Sequence, residues 1–290
     1  MFLQQVVNGI VVGSVYALTA LGATLVYGIL RILDISNAAA YATGAYIAFF
    51  VYSATGNLLL SFAAGVVLTA LLGLAVQRYL FAPLMEKPPL VSLIASIGLF
   101  ICTQDLLRLV AGPQIQNFHA GGVLPNIYLE RINLTVYGSW VIVLLVTAAL
   151  LAFLYLLLNH SAIGLAWRAT AQDLETTQAM GINTNRVIAL NFLLGYGFAA
   201  AAGIMVGIMY KYVFPTMGDV PAYKMLAVIV LGGLGNPLGT VLAAMIIGLA
   251  ETLIGGYIGF FLPRDALAFV ILILILLWRP QGLLGRRQAN

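Results

Sequence analysis

Long apolar runs separated by short polar breaks dominate this chain, and each run is far longer than a buried strand needs. Spans are predicted near residues 6–30, 38–54, 58–81, 90–111, 137–158 and 186–212, each close to the roughly 20 residues that carry an α-helix across a bilayer. The short alternating segments of a membrane barrel are not the pattern here. The apolar piece 223–231 is about half a span and runs into GGLGNPLG, residues 232–239, which cannot continue as regular helix. We therefore read 223–233 as a segment that dips into the bundle, breaks at Gly232 to Gly239 and returns as 239–256, with 264–278 as the last crossing. The expected fold is an all-α, polytopic helical membrane protein, a single domain over 1–290 with about eight transmembrane segments including the broken or re-entrant Gly-rich hairpin. Broken backbone at membrane depth is tolerated only where protein or a water-filled cavity surrounds it, and transporters build pathways this way. That makes Gly232, Gly233, Gly235 and Asn236 candidates for lining a path.

Composition agrees with the pattern: 62% of the 290 residues are hydrophobic, 8% are charged, and the mean hydropathy is +1.05, outside the range of soluble domains. The net charge of +4 comes from Lys and Arg placed singly at segment ends, which reads as membrane orientation and not as a nucleic-acid footprint. Arg78 and Lys87, Arg168 and Arg186, and Arg279, Arg286 and Arg287 mark three cytoplasmic regions. Alternation then puts the N-terminus and the Gly-, Pro- and Asn-rich loop 112–136 outside, with Arg108, Arg131, Lys211, Lys224 and Arg264. The first segment has no basic n-region and outruns a signal-peptide core, so it is expected to stay as a transmembrane helix. Cys102, in an apolar run, is expected to be a core thiol with no disulfide role. Asn133 and Asn159 both match the glycosylation sequon but fall on opposite faces, as chance matches do.

The longest polar passage is NHSAIGLAWRATAQDLETTQAMGINTNRV, residues 159–187. Thr170 and Asp173 have capping-box spacing, and Gly181 followed by Ile182 has the form of a left-handed helix stop with its apolar partner. A separate helix over 171–180 is predicted, about 15 Å long, too short to cross a bilayer and too polar to lie in one. Asn183 or Thr184 then caps the next span. Held between two rigid spans, such a helix can pass force to a cytoplasmic partner; it can equally be a solvated loop helix.

Ionisable groups inside a membrane are functional candidates because leaving one in lipid is costly. Glu251 lies well inside the returning helix, where a structural hydrogen-bonding role and a gating role are both open. Asp105 is spaced to pair with Arg108 near the outer surface. Asp34 follows Arg31 by three and either pairs locally or faces a path. Around it Ser36, Asn37, Tyr41 and Thr43, with Asn191 and Tyr196 from the sixth span, are weak polar groups able to line a route for a small amphipathic solute. Gly9, Gly13, Gly203, Gly207 and the Ala run 199–202 have spacing that lets helices approach closely, either internally or at a subunit interface. His119 and His160 fall in loops on opposite sides and form no shared metal site. No G-x-x-x-x-G-K-[ST] occurs, so the chain does not cradle ATP by that route.

The passage GLAWRATAQDLETTQAMGINTNRVIALNF closely resembles the cytoplasmic loop of LivH-type permeases, membrane subunits of ABC importers for branched-chain amino acids. Gly164, Arg168, Ala169, Ala171, Asp173, Leu174, Gly181, Ile182, Asn183, Thr184, Arg186 and Val187 carry the likeness. It extends to NGIVVGSVYALTALGATLVYGILRI, to LIASIGLFI, to VLGGLGNPLGTVLAAMIIGLAETL and to the tail RPQGLLGR. The resemblance implies the ABC importer permease fold, with 171–180 as the coupling helix that docks on an ATPase. Arg168, Ala171, Asp173, Leu174, Glu175, Gly181 and Ile182 are then the coupling residues. It also implies a second permease subunit, a paralogue of this one, two cytoplasmic ATPase subunits binding ATP and Mg²⁺, an external substrate-binding protein, and residence in a bacterial or archaeal cytoplasmic membrane. This chain itself holds no cofactor in that reading. One stretch departs: where such permeases read I-N-F-A-H-G, this chain has Asp34, Asn37 and Ala38 within LDISNAAAYATGAY. The implied cargo is a branched-chain or other hydrophobic amino acid, or a related carboxylate or amide. An ion-coupled secondary transporter, with Glu251 as its site, is the alternative; a membrane-embedded enzyme lacks a clustered nucleophile, base and orienting group.

Overall fold

The computed structural model describes residues 2–118, 125, 127–129, 134–257, 269, 270, 272–274, 277, 279 and 282–284. The elements are α1 (Phe2–Leu30), α2 (Asn37–Thr55), α3 (Leu58–Val76), α4 (Pro89–Ala111), β1 (Gln116–Asn117), β2 (Ile127–Leu129), β3 (Leu134–Val136), α5 (Gly138–His160), α6 (Ala162–Gln172), α7 (Leu174–Ala179), α8 (Thr184–Tyr210), β4 (Tyr212–Val213), α9 (Asp219–Gly232) and α10 (Pro237–Tyr257). A π-helical turn, Gln77–Phe81, and a 3₁₀ turn, Ala82–Leu84, extend α3. The bundle is helical as expected, but the outer loop is not structureless. β2 and β3 form an antiparallel ribbon with Ile127 opposite Val136, and β1 pairs with β4.

Six helices among the described residues are long and apolar enough to span a membrane: Phe2–Leu30, Leu58–Leu84, Pro89–Ala111, Gly138–His160, Thr184–Tyr210 and Pro237–Tyr257. The expected count of eight is therefore not reproduced. α2 is long enough at 19 residues, yet Asn37, Tyr41, Thr43 and Tyr46 dilute its apolar character; enclosed by α3 and α8, it does not have to face lipid along its first half. α9 has 14 residues, about 21 Å, short of a core about 30 Å thick. The expected 264–278 crossing falls largely outside the described residues, as do His119, Arg131, Asn133, Arg264, Arg286 and Arg287.

The helices sort into a centre and a periphery. In their most apolar stretch α1 is 83% and α8 78% buried, against 28%, 22% and 22% for α3, α4 and α5, so the last three form the outside of the bundle. Small residues make the centre close-packed. A Cβ on Gly13 would lie 3.1 Å from the Met245 backbone of α10, and one on Gly9 would lie 2.5 Å from Thr252 Oγ1. Gly203 abuts the Tyr41 carbonyl, Gly207 packs on Phe118 and Val213, and Ala199 to Ala202 are fully enclosed. These stripes thus pack within the chain. Cys102, by contrast, is exposed on α4 and not in the core.

Two non-helical stretches reach the bundle interior. After Leu30 the chain turns back on itself, with Arg31 at φ 53°. By Asn37 it is level with Thr19, whose carbonyl accepts from Asn37 Nδ2 at 3.1 Å. Thr19 lies eleven residues before Leu30, so the return climbs about 16 Å. Ile35 N on the way donates to Ser96 Oγ of α4 at 3.3 Å. The second stretch, 214–218, brings Gly218 against Ala38 and Phe100 before α9 starts. Both are enclosed by helices, the condition for irregular backbone at this depth.

Candidate functional site

The predicted 171–180 helix exists in a different form. α6 starts early, with Ser161 Oγ accepting from Gly164 N at 3.0 Å, and runs through Thr170, which is buried and donates back to the Ala166 carbonyl at 2.8 Å. Thr170 is therefore not a cap. Asp173 ends α6 and caps the six-residue α7: its Oδ1 accepts from Glu175 N at 3.0 Å and Thr176 N at 3.4 Å, and Thr176 Oγ1 donates to Oδ2. The Thr176 hydroxyl, then its backbone N–H, hold the Asp173 carboxyl below the usual carboxylate range. The stop follows the expected pattern. Gly181 has φ 84°, its N–H donates to the Gln178 carbonyl at 2.9 Å, and Ile182 N reaches the Thr177 carbonyl at 3.3 Å. Those two bonds define a Schellman stop, with Ile182 packed toward the core. Asn183, of the two possible caps, accepts from Arg186 N at 3.2 Å and starts α8. Leu174 and Ala171 are partly buried, Glu175 is exposed, and Arg168 reaches back to the Leu158 carbonyl (2.9 Å) and Asn159 Oδ1 (3.3 Å). There its cation sits on the carbonyl end of α5, where a positive charge is favourable.

The polar groups after α1 gather where the non-helical segment meets α8. Ser36 Oγ donates to Asp34 Oδ1 and lies 2.5 Å from Tyr196 Oη, and Ser36 N donates to Asp34 Oδ1 at 2.9 Å. Asp34, Ser36, Asn37, Tyr41, Asn191 and Tyr196 are all buried. Among the described residues Asp34 Oδ2, Asn37 Oδ1 and Asn191 Nδ2 have no hydrogen-bond partner, an uncommon state for enclosed polar atoms. Thr43 is partly buried and bonds the Ala39 carbonyl of its own helix. Asp34 thus faces inward and does not pair with Arg31.

A second buried group was only half visible in the sequence. Lys224, read as an external residue, is 4% exposed and lies inside the bundle on α9. Its Nζ is 2.5 Å from Glu251 Oε1 of α10 and 2.7 Å from Tyr16 Oη of α1, while Tyr16 Oη donates to Glu251 Oε2 at 2.8 Å. Three helices are thereby tied by one network. An apolar run holding a lysine opposite another holding a glutamate is itself a pairing signal; Tyr16 carried none. Gln104 Nε2 of α4 likewise donates to Asp219 at the start of α9, a pair the sequence reading did not single out. The Asp105–Arg108 pair forms as predicted, at 2.7 Å and in the open.

The Gly-rich break makes a tight turn. Gly233 and Gly235 have φ 101° and 79°, and Gly232 and Gly239 bring their backbones into contact. Asn236 Oδ1 accepts from Gly239 N at 3.2 Å, and its Nδ2 donates to the Leu284 carbonyl at 2.9 Å. Leu283 N and Leu284 N donate to the carbonyls of Leu231 and Gly232, so the tail segment docks on the end of α9. Gly235 touches Gly28, and Trp167 of α6 packs on the same glycine. Beside this contact α1, α5, α6 and the α9–α10 turn enclose a cavity of about 1450 Å³. Of the path candidates Gly235 and Asn236 line it; of the coupling candidates Arg168 and Ala171 do. The Asp34 cluster and Glu251 do not. Among the described residues no group of His, Cys, Asp and Glu is arranged to hold a metal.

A family model described as the permease component of the branched-chain amino acid transport system matches residues 5–278. The chain belongs to this family. It is 33% identical to the high-affinity branched-chain amino acid transport system permease protein LivH of Escherichia coli, over 100% of this chain and 97% of that one. It is 35% identical to the corresponding permease protein BraD of Pseudomonas aeruginosa, over the same shares. The permease protein LivM of Escherichia coli matches over 50% of this chain and 34% of its own length, at 28% identity.

This permease is thus an integral membrane transport component, in a family that is not itself catalytic. Its polar interior falls into two parts among the described residues: a cluster with unsatisfied donors and acceptors beside the α1–α2 return, and a separate network at Tyr16, Lys224 and Glu251.

Proposed function

We propose that this permease is the path-forming subunit of an ATP-driven importer in a bacterial or archaeal cytoplasmic membrane. An external binding protein delivers the cargo, a branched-chain or other hydrophobic amino acid or a related carboxylate or amide. A second, paralogous permease completes the path, and two ATPase subunits bind ATP and Mg²⁺ in the cytoplasm. The observation that carries the reading is α7, a six-residue helix with a side-chain cap at one end and a Schellman stop at the other. A helix so short has little stability of its own; fixed at both ends, it moves only with α6 and α8. Arg168, Ala171, Asp173, Leu174, Glu175, Gly181 and Ile182 shape and hold this unit against an ATPase groove. Nucleotide-driven displacement there shifts the bundle between outward-open and inward-open states.

Asp34, Ser36, Asn37, Tyr41, Thr43, Asn191 and Tyr196, with Gly232, Gly233, Gly235 and Asn236 at the turn, border the solute's route. Glu251, matched by Lys224, serves as a brace between α1, α9 and α10, and this works against the ion-coupled alternative that would use it as a free site. The test is to isolate the tagged chain from its native membrane with its partners and measure ATP hydrolysis with cargo-loaded binding protein. Recovery of a P-loop ATPase stimulated by one loaded binding protein is the expected result. Transport by the chain alone, driven by an ion gradient and indifferent to nucleotide, would overturn it.

A further inference from the structure

The cavity between α1, α5, α6 and the α9–α10 turn has an amphiphile's shape. Its deep wall is Leu21, Leu151, Leu154, Val241 and Leu242, and its mouth carries Arg31, Asn159, Arg168, Gln172 and Asn236. From Leu151 to Asn159 the wall runs about 12 Å along α5, and from Leu21 to Leu30 about 14 Å along α1. That is one leaflet of a hydrocarbon core about 30 Å thick. Two arginines and no acidic residue line it. Leu238 and Leu242 of α10 and Tyr155 of α5 are 61%, 51% and 52% exposed, so the groove opens sideways between α5 and α10.

One more group points to an occupant. Trp167 is 8% exposed, lines the cavity, and its Nε1–H meets no acceptor among the described residues. A buried indole N–H ordinarily finds one.

We propose that this groove holds an anionic phospholipid of the cytoplasmic leaflet, acyl chains against the leucines and phosphate between Arg31 and Arg168. The inference rests on the orientation adopted under the proposed function. Basic pockets between helices on the cytoplasmic side suit anionic headgroups, and a zwitterionic lipid gains less from two arginines. Because Trp167 belongs to α6 and packs on Gly28, beside Gly235 of the turn, the lipid bridges the proposed coupling elements and the central helix.

The test uses the full chain with its co-purifying subunits in nanodiscs. Trp140→Phe and Trp278→Phe leave Trp167 as the last of this chain's three tryptophans. If the partners contribute tryptophans, the Trp167→Phe difference isolates its signal. Phosphatidylglycerol or phosphatidylcholine with brominated chains is titrated in as quencher, and native mass spectrometry of the unaltered chain counts retained lipid. The expected result is quenching by phosphatidylglycerol at about fivefold lower mole fraction than by phosphatidylcholine, the effect of one arginine near the surface. Arg31→Gln reduces that preference, and salt weakens it. Equal quenching by both headgroups, or a preference unchanged by Arg31→Gln, overturns the proposal in favour of bulk lipid contact. Absence of quenching, with Leu242→Cys cross-linking to the second permease, overturns it in favour of a protein occupant. Neither readout uses transport or nucleotide, so this proposal and the importer reading fail separately.

Discussion

Glu251→Gln removes one partner of a pair whose side chains are 5% and 4% exposed. Lys224 then keeps Tyr16 Oη at 2.7 Å but loses the Glu251 carboxylate. Breaking a buried pair from one side costs about 3–5 kcal/mol. Reversible unfolding in mixed micelles measures this. The expected loss is about 3–5 kcal/mol at pH 7. Adding Lys224→Met to Glu251→Gln should recover much of the loss, because paired removal of a buried ion pair is often neutral or stabilising. A loss below about 1 kcal/mol at pH 7, or single-variant costs that simply add, would refute the brace.

Asp173→Ala removes the cap of α7 and should raise ATP hydrolysis per solute transported; Asp173→Asn, which still accepts from the backbone, should stay coupled. Because its carboxyl is held below the usual range, the stabilisation from the ionised form is lost only as pH falls through that depressed value; coupling that fades between pH 7 and pH 5 while Asp173→Asn stays flat would contradict the assignment. Gly181→Val puts a β-branched residue at φ 84°, costing about 1–2 kcal/mol, and should lower transport while leaving insertion intact; limited proteolysis of the α7 stop and a coupling assay read it together. Asn37→Ala deletes the bond to the Thr19 carbonyl and should change the order of preference among competing cargo molecules in a transport assay; an unaltered order would take Asn37 off the path.

What a single chain reveals depends on the range of the force involved. Spans follow from hydrophobic runs, and most predicted boundaries lie within about four residues of the observed helices. Local chemistry was legible too: Gly181 and Ile182 end α7 and Asn183 starts α8 because those motifs close within a few residues. The same local reading misplaced the start, since Thr170 and Asp173 have capping-box spacing but Ser161 nucleates α6 first and Thr170 is carried into its last turn. Count and depth were the harder quantities. α2 looked like an ordinary span, yet it begins level with Thr19 because residues 31–36 climb back into the bundle, and only tertiary contacts report that. Lys224 was placed outside by alternation, which assigns a side to loops but is silent on a cation partnered across the bundle by Glu251.

The arrangement also explains why the polar interior is divided in two. The Tyr16–Lys224–Glu251 network joins α1, α9 and α10 and satisfies opposite charges internally, which suits elements that move as one body. The Asp34 cluster lies where α2 and α8 meet a non-helical segment, and among the described residues it leaves Asp34 Oδ2, Asn37 Oδ1 and Asn191 Nδ2 without partners. Unsatisfied buried polar atoms cost stability, which agrees with the place proposed for this cluster on the solute's route. α1 contacts both regions, and its Gly28 is the point where Trp167 of α6 and Gly235 of the α9–α10 turn converge. A displacement of α6 with the proposed coupling helix therefore meets α1 and the turn at one contact. Under the proposed function, that push reaches the Asp34 cluster through α1, whose Thr19 carbonyl holds Asn37.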